Sequence, residues 1–210
     1  LCRRQHFCSS RFKNMKTLIF TLLAFAPLLS YGQAEELKQR TSLFLEEQAA
    51  NYKIKELNGN EPDYGVLPET QFIHHSYFQL KQIEKELNDL GNNVKPKYDL
   101  STYAYEDEEE LKYALKFWFK EFIGDKRITP GRDYRTVDHI VPGIIIIEKN
   151  YIAILTLSCY SVDIEEFRAW RSSMLGVFGS PNAMVVELGC NGPIEWTKNP
   201  PDPKDPSWRR

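Results

Sequence analysis

Between Gly143 and Cys190 the apolar residues fall into short runs separated by a two-residue turn and one helical stretch: GIIIIEKNYIAILTLSCY, then SVDIEEFRAWRSSMLGVFG, then MVVELGC. With Lys149-Asn150 at the turn, and asparagine tolerating the left-handed conformation, a β-hairpin pairs Ile147 with Ile152, Ile145 with Ile154 and Ile144 with Leu155. Both faces of that hairpin are apolar near its turn, which calls for cover on both sides. Asp163, with Glu166 three residues on, predicts a reciprocal cap for a helix whose core stripe is Ile164, Phe167, Trp170, Met174 and Phe178. Gly179-Ser180-Pro181 stops it. A right-handed crossover then makes the strands at 152–160 and 183–190 parallel, and neighbours if no strand is skipped. As neighbours they set Met184, Val186, Leu188 and Cys190 on the same side as Ala153, Leu155, Leu157 and Cys159, bringing sulfur to sulfur.

Upstream, Leu37, Thr41, Phe44, Leu45, Gln48 and Tyr52 form one stripe of a helix over 34–52, which Asn58-Gly59-Asn60 and Pro62 break. Phe72, Ile73, Tyr77, Leu80, Ile83, Leu87 and Leu90 recur at three and four residues and predict a second helix over 69–90, with Gly91 as its stop. Residues 92–101 read as a polar connection containing Pro96. A third helix starts in the acidic cluster 106–110, where negative charge suits the helix amino end, and runs through Leu111, Ala114, Leu115, Trp118, Phe119 and Phe122 to Gly124. It is apolar over more than half its circumference and so is expected between other elements. Residues 134–141 predict an edge strand, Ile194-Glu195-Trp196 another, and the proline-rich segment 198–210 a disordered tail. The fold class expected is α+β: N-terminal helices packed on a small mixed β-sheet that contains a β-hairpin followed by a β-α-β crossover.

The amino-terminal segment changes which residues belong to that fold. From Met15 the chain reads MKTLIFTLLAFAPLLSYGQA: Lys16, an apolar run over 18–29, then small residues before Gln33. This predicts a secretory signal peptide over 15–32, and the run is shorter than a membrane-spanning helix needs. Residues 1–14 have no initiating methionine and read as sequence upstream of the true start. A single domain over 33–197 remains, consistent with 210 residues and ordinary hydrophobic (42%) and charged (27%) fractions. Arg3, Arg4, Arg11, Lys13 and Lys16 are the only charged residues before Gln33, so the 27 basic residues of the chain fall to 22 against 29 acidic ones. The formal charge becomes −7, which offers nucleic acid no basic footprint.

Cys2 and Cys8 go with the leader, and Cys159 with Cys190 is then expected to form a disulfide, since an exported chain meets an oxidising compartment. Such a bridge would contribute roughly 3 to 4 kcal/mol on the chain-entropy account. The rival reading, a catalytic Cys159, wants a histidine beside it, and His139 is the nearest in sequence. His74-His75 are adjacent, unsuited to share one metal, and are read as solvent-exposed. No nucleophile elbow, zinc-protease helix, phosphate loop or dinucleotide fingerprint occurs, and no cofactor is expected.

What remains is a place. Ligands of open parallel sheets collect beyond the carboxyl ends of the strands, here Tyr160, Ser161, Asn191 and Gly192, with Ser158 and Glu187 below them. Asp163, Glu165 and Glu166 already occupy the helix amino end and disfavour an anion there. The reading is an exported, periplasmic or extracellular, non-enzymatic module that binds a protein or small ligand without stable membrane insertion. The alternative is a secreted hydrolase using Ser158, Glu187 and His139. A third class is an envelope scaffold with exposed aromatic surface at Trp196 and Trp208.

Overall fold

The computed structural model describes residue 32 and residues 34–57, 72–87, 91–123, 142–158, 163–189 and 194–197, with side chains of the 108–123 helix described as far as Lys116. Helix α1 covers 34–48. It is followed by β1 (Tyr52–Glu56), β2 (Phe72–Gln82), β3 (Glu86–Leu87), β4 (Asn93–Val94), β5 (Lys97–Tyr105), α2 (Glu108–Ile123), β6 (Gly143–Glu148), β7 (Tyr151–Thr156), α3 (Ile164–Phe178), β8 (Met184–Leu188) and β9 (Ile194–Trp196). Seven strands form one sheet in the order β1-β2-β5-β7-β6-β8-β9, and β3-β4 make a small separate hairpin. Every pairing in both sheets is antiparallel.

This corrects the expected fold class. Among the described residues the sheet is neither small nor mixed, and strands dominate over the three helices. The crossover through α3 does skip a strand: β6 lies between β7 and β8, antiparallel to both, so the two run parallel without touching. Alternation also separates the residue sets that were expected to share a side. Ala153, Leu155 and Leu157 pack with Leu37, Phe44, Trp170, Met174 and Phe178 under α1 and α3. Val186 and Leu188, with Met184 against them, pack with Leu111, Ala114 and Leu115 of α2 on the opposite face. The strand argument that brought Cys159 beside Cys190 therefore fails; both cysteines lie outside the described residues.

The hairpin register is the one expected, Ile147 opposite Ile152, Ile145 opposite Ile154 and Ile144 opposite Leu155. The left-handed residue, however, is Lys149 (φ 49°). Asn150 is buried at 3% exposure, and its work is different: its carbonyl accepts the Tyr105 N–H at 2.8 Å and its Nδ2 donates to the Tyr105 carbonyl at 2.5 Å. The turn is thereby tied to the end of β5. Asn150→Ala leaves the Tyr105 carbonyl without that donor and is expected to lower stability by about 1–3 kcal/mol in urea titration. A change below a few tenths would mean the carbonyl finds water.

The helix expected over 69–90 is instead β2. Phe78 and Leu80 face α1 and α3 while Tyr77 and Gln79 face the other way, a two-residue period hidden in a segment apolar or aromatic on both sides. A bulge between Phe72 and His74 shifts the register, so Phe72 packs toward α2 although it is two residues from His74. Gly91 (φ +75°) serves a bend before β4 rather than a helix end. The supposed polar connection at 92–101 holds β4 and most of β5, where Tyr98, Leu100, Thr102 and Ala104 are each fully buried. Asp99 and Ser101 between them masked the alternation.

Helices α2 and α3 follow the expectation, while α1 falls short of the expected 34–52. Helix α1 ends at 48 and Tyr52 begins a strand; α2 starts in the acidic turn Glu108-Glu109-Glu110, with Asp107 Oδ1 accepting the Glu110 N–H at 2.8 Å. In α3 the stripe Trp170, Met174 and Phe178 is buried, although Ile164 is 70% exposed. No basic residue stands in the last turn of α3, and its final carbonyls are met from elsewhere: Arg40 Nη1 donates to Val177 O and the Tyr151 hydroxyl to Phe178 O, each at 2.5 Å. These two bonds dock the end of α3 against α1 and the hairpin. The expected edge strand at 134–141, the signal segment up to Tyr31 and the tail from 198 lie outside the described residues.

Candidate functional site

The first turn of α3 meets β5 at an ionisable cluster that feels the charge of Glu86 in β3. Asp163 caps the helix by accepting the Glu166 N–H at 2.8 Å. The Glu166 side chain does not reach back to complete the expected reciprocal cap. It accepts the hydroxyl of Tyr98 at 2.5 Å, from the neighbouring sheet. Tyr98 is fully buried, Trp170 is 5% exposed and Tyr52 is half-buried. Their rings pack on one another, with centroids 4.9 Å apart for Tyr98–Trp170, 5.3 Å for Tyr52–Trp170 and 5.6 Å for Tyr52–Tyr98. Phe44 of α1 closes the far side of Trp170 at 6.1 Å.

Burial pushes the Glu166 carboxyl above the usual carboxylate range; the Tyr98 hydroxyl, and then Trp170, pull the other way, while the Glu86 and Asp163 carboxylates reinforce the rise. Burial likewise raises Tyr98, and its bond to Glu166 raises it further, so the shared proton stays on the phenol. Tyr52 is pushed up to about 12, by burial first and then by the charges of Glu166 and Glu86. The arrangement is a half-buried carboxylate, walled by aromatics, with two further carboxylates near it. It suits a cation or a strong hydrogen-bond donor brought from outside.

The sign of the pH effect follows. A carboxyl whose folded pKa is raised binds its proton more tightly in the folded state, so it favours the fold below the ordinary value and withdraws that stability as pH rises through the folded one. Glu166→Gln is therefore expected to flatten the loss of stability that sets in as pH rises above the ordinary carboxylate value near 4.5. Tyr98→Phe removes a donor to the ionised carboxylate and is expected to lower stability at neutral pH by about 1–2 kcal/mol. If both variants show the wild-type pH profile, Glu166 and Tyr98 are not coupled as the geometry shows.

The sequence-predicted site residues fare differently. Glu187 is paired: Arg171, the residue after Trp170 in α3, donates from Nε to Glu187 Oε1. With side chains 39% and 21% exposed, such a pair contributes about 0–1 kcal/mol and reads as a clasp of α3 on β8. Ser158 lies just past the end of β7, two residues beyond Thr156. Strand β6 separates it from β8, and the alternation that puts Leu157 and Glu187 on the α3 side puts Thr156 on the other, so Ser158 and Glu187 are not brought together. His139, Tyr160, Ser161, Asn191 and Gly192 lie outside the described residues.

Two histidines expected to be exposed are half-buried on opposite faces of β2. His75 stacks on Tyr103 with ring centroids 4.6 Å apart and 14° between planes. His74 lies on the α1 face. Sequence reasoning missed Tyr98 because β5 was read as a loop, and assigned Glu166 to capping alone. The alternation Tyr98, Leu100, Thr102, Ala104 was the available signal.

Among the described residues no group of His, Cys, Asp and Glu is placed to hold a metal, and no helix is long and apolar enough to cross a membrane. Comparison with protein-family models, with curated proteins and with solved structures finds no match.

Proposed function

We propose that the mature chain is exported and acts by binding, taking a protein or small ligand that offers a positive or hydrogen-bond-donating group to Glu166 at the start of α3. The observation that carries this reading is the Tyr98–Glu166 pair. A carboxylate kept half-buried among carboxylates, where its ionisation works against the fold, is what binding sites retain and stability alone does not require. Tyr160 and Ser161 of the expected ligand rim immediately precede the same helix in sequence, and the segment 15–32 supports export. An exported chain would oxidise Cys159 and Cys190.

The test is native mass spectrometry on protein expressed with its own leader and recovered from the envelope or medium. The expected species begins at Gln33, is two hydrogens lighter than the reduced chain, and carries a ligand or partner that Glu166→Gln loses. An unprocessed chain kept in the cytosol, or an identical ligand-free species from wild type and Glu166→Gln, would overturn the reading.

A further inference from the structure

We propose that His74 is a proton-operated release for α1: a proton taken up by its half-buried imidazole, whose Nε2 is shielded, loosens that helix from the sheet and uncovers the apolar surface beneath it. The register places His74 opposite Ala104, whose side chain belongs to the core under α1 and α3. Its Nε2 is shielded from solvent and has no hydrogen-bond partner among the described residues. The next polar side chains on that face, Ser76 and Thr102, are engaged with each other at 2.7 Å. A neutral imidazole leaves one buried nitrogen unsatisfied there, a modest cost, whereas an imidazolium would bury a charged donor with nothing to accept it.

Burial sets the direction, and the charged groups around the ring adjust it. From α1, Lys38 opposes protonation and Glu35 favours it; from β2 itself, His75 opposes it; β5 presents Thr102 and Ala104 on this face, neither of which titrates. Burial is the largest influence, and together these hold His74 below the usual histidine range. In the sheet-bound state the ring resists its proton, and with α1 lifted it takes the proton up normally. Acid therefore drives the opening, by at most about tenfold in the opening constant for each pH unit below the ordinary histidine value near 6.5.

Helix α1 is held to the rest of the fold at few points. It joins the rest of the described chain through the turn at 49–51, and it is held by Leu37 and Phe44 in the core, Arg40 on Val177 O and Gln48 on Ser173. Glu166 sits at the other end of the same helix layer but has the opposite sign, since its ionisation weakens the fold as pH rises. The two groups cannot be mistaken for each other in a pH series.

The experiment is hydrogen exchange on the intact protein from pH 7.5 to 5, corrected for intrinsic exchange and read separately for 34–48 and for β6–β7. The expected result is protection of 34–48 falling by up to about tenfold per pH unit below 6.5, with β6–β7 unchanged. His74→Gln should abolish that dependence and His75→Gln should keep it. In wild type, the His74 ring resonances and the α1 amides should titrate with one midpoint, a measurement that stands even if a variant fails to fold. Flat protection of α1, equal loss across α1 and β6–β7, the same profile in His74→Gln, or separate midpoints for ring and helix would each overturn the proposal.

Discussion

Trp170→Ala is expected to lower the unfolding free energy by about 3–5 kcal/mol, among the largest effects of any single substitution in the described structure. Trp170 is 5% exposed and touches rings from three elements: Phe44 of α1, Tyr52 of β1 and Tyr98 of β5. Removing it opens a cavity where α1, α3 and the sheet meet, and these elements cannot close it without shifting Phe44, which also packs on Phe178 at 5.5 Å. Denaturant titration would show a lower midpoint with little change in slope if the fold persists. A loss under about 1 kcal/mol would mean that the cluster is loosely packed and that α1 is not fixed by it.

Gly143→Ala is the second large effect, and its cause is backbone. Gly143 begins β6 opposite both Thr156 of β7 and Leu188 of β8, and an added Cβ would stand 2.7 Å from the Leu155 carbonyl oxygen. Neither flanking strand can yield without breaking pairs in the middle of the sheet, so an overpacking cost of about 1–3 kcal/mol or more is expected. Gly176→Ala is the control. It lies in α3 with open space around the added methyl and is expected to gain roughly 0.5–1 kcal/mol from helix propensity and reduced unfolded-state freedom. Equal effects at the two glycines would show that β6 is not held between two neighbours.

The hairpin, α3 with its Asp163 cap, and α2 with its acidic first turn were legible because each is an apolar run or stripe marked off by its own turn or cap signal. The segment 72–82 was not. Phe72, Ile73, Tyr77 and Leu80 satisfy a helical spacing by chance, while the strand's true faces are both populated by large residues and a bulge interrupts the alternation. Strand β5 was hidden for the converse reason: Thr102 and Ser101 are buried in the sheet although their composition suggests a loop. Local patterns also cannot report which strand lies next to which. Nothing in the sequence of the α3 crossover distinguishes a step to the neighbouring position from a step across β6, and that one step decides the sheet's character and undoes the register argument for the cysteines. The site was half visible. Glu166 stood out as part of a cap, but its partner Tyr98 comes from 68 residues away through a strand that had not been recognised.

The central structural claim is that β6 stands between the parallel strands β7 and β8 in a wholly antiparallel sheet, and inter-strand nuclear Overhauser effects test it most directly. Backbone cross-peaks should tie Ile145 to both Ile154 and Val186, with none linking Ile154 directly to Val186 across adjacent strands. Cross-peaks running in parallel register from β7 to β8, without Ile145 between them, would contradict the architecture and with it the placement of α3, Glu166 and the proposed site.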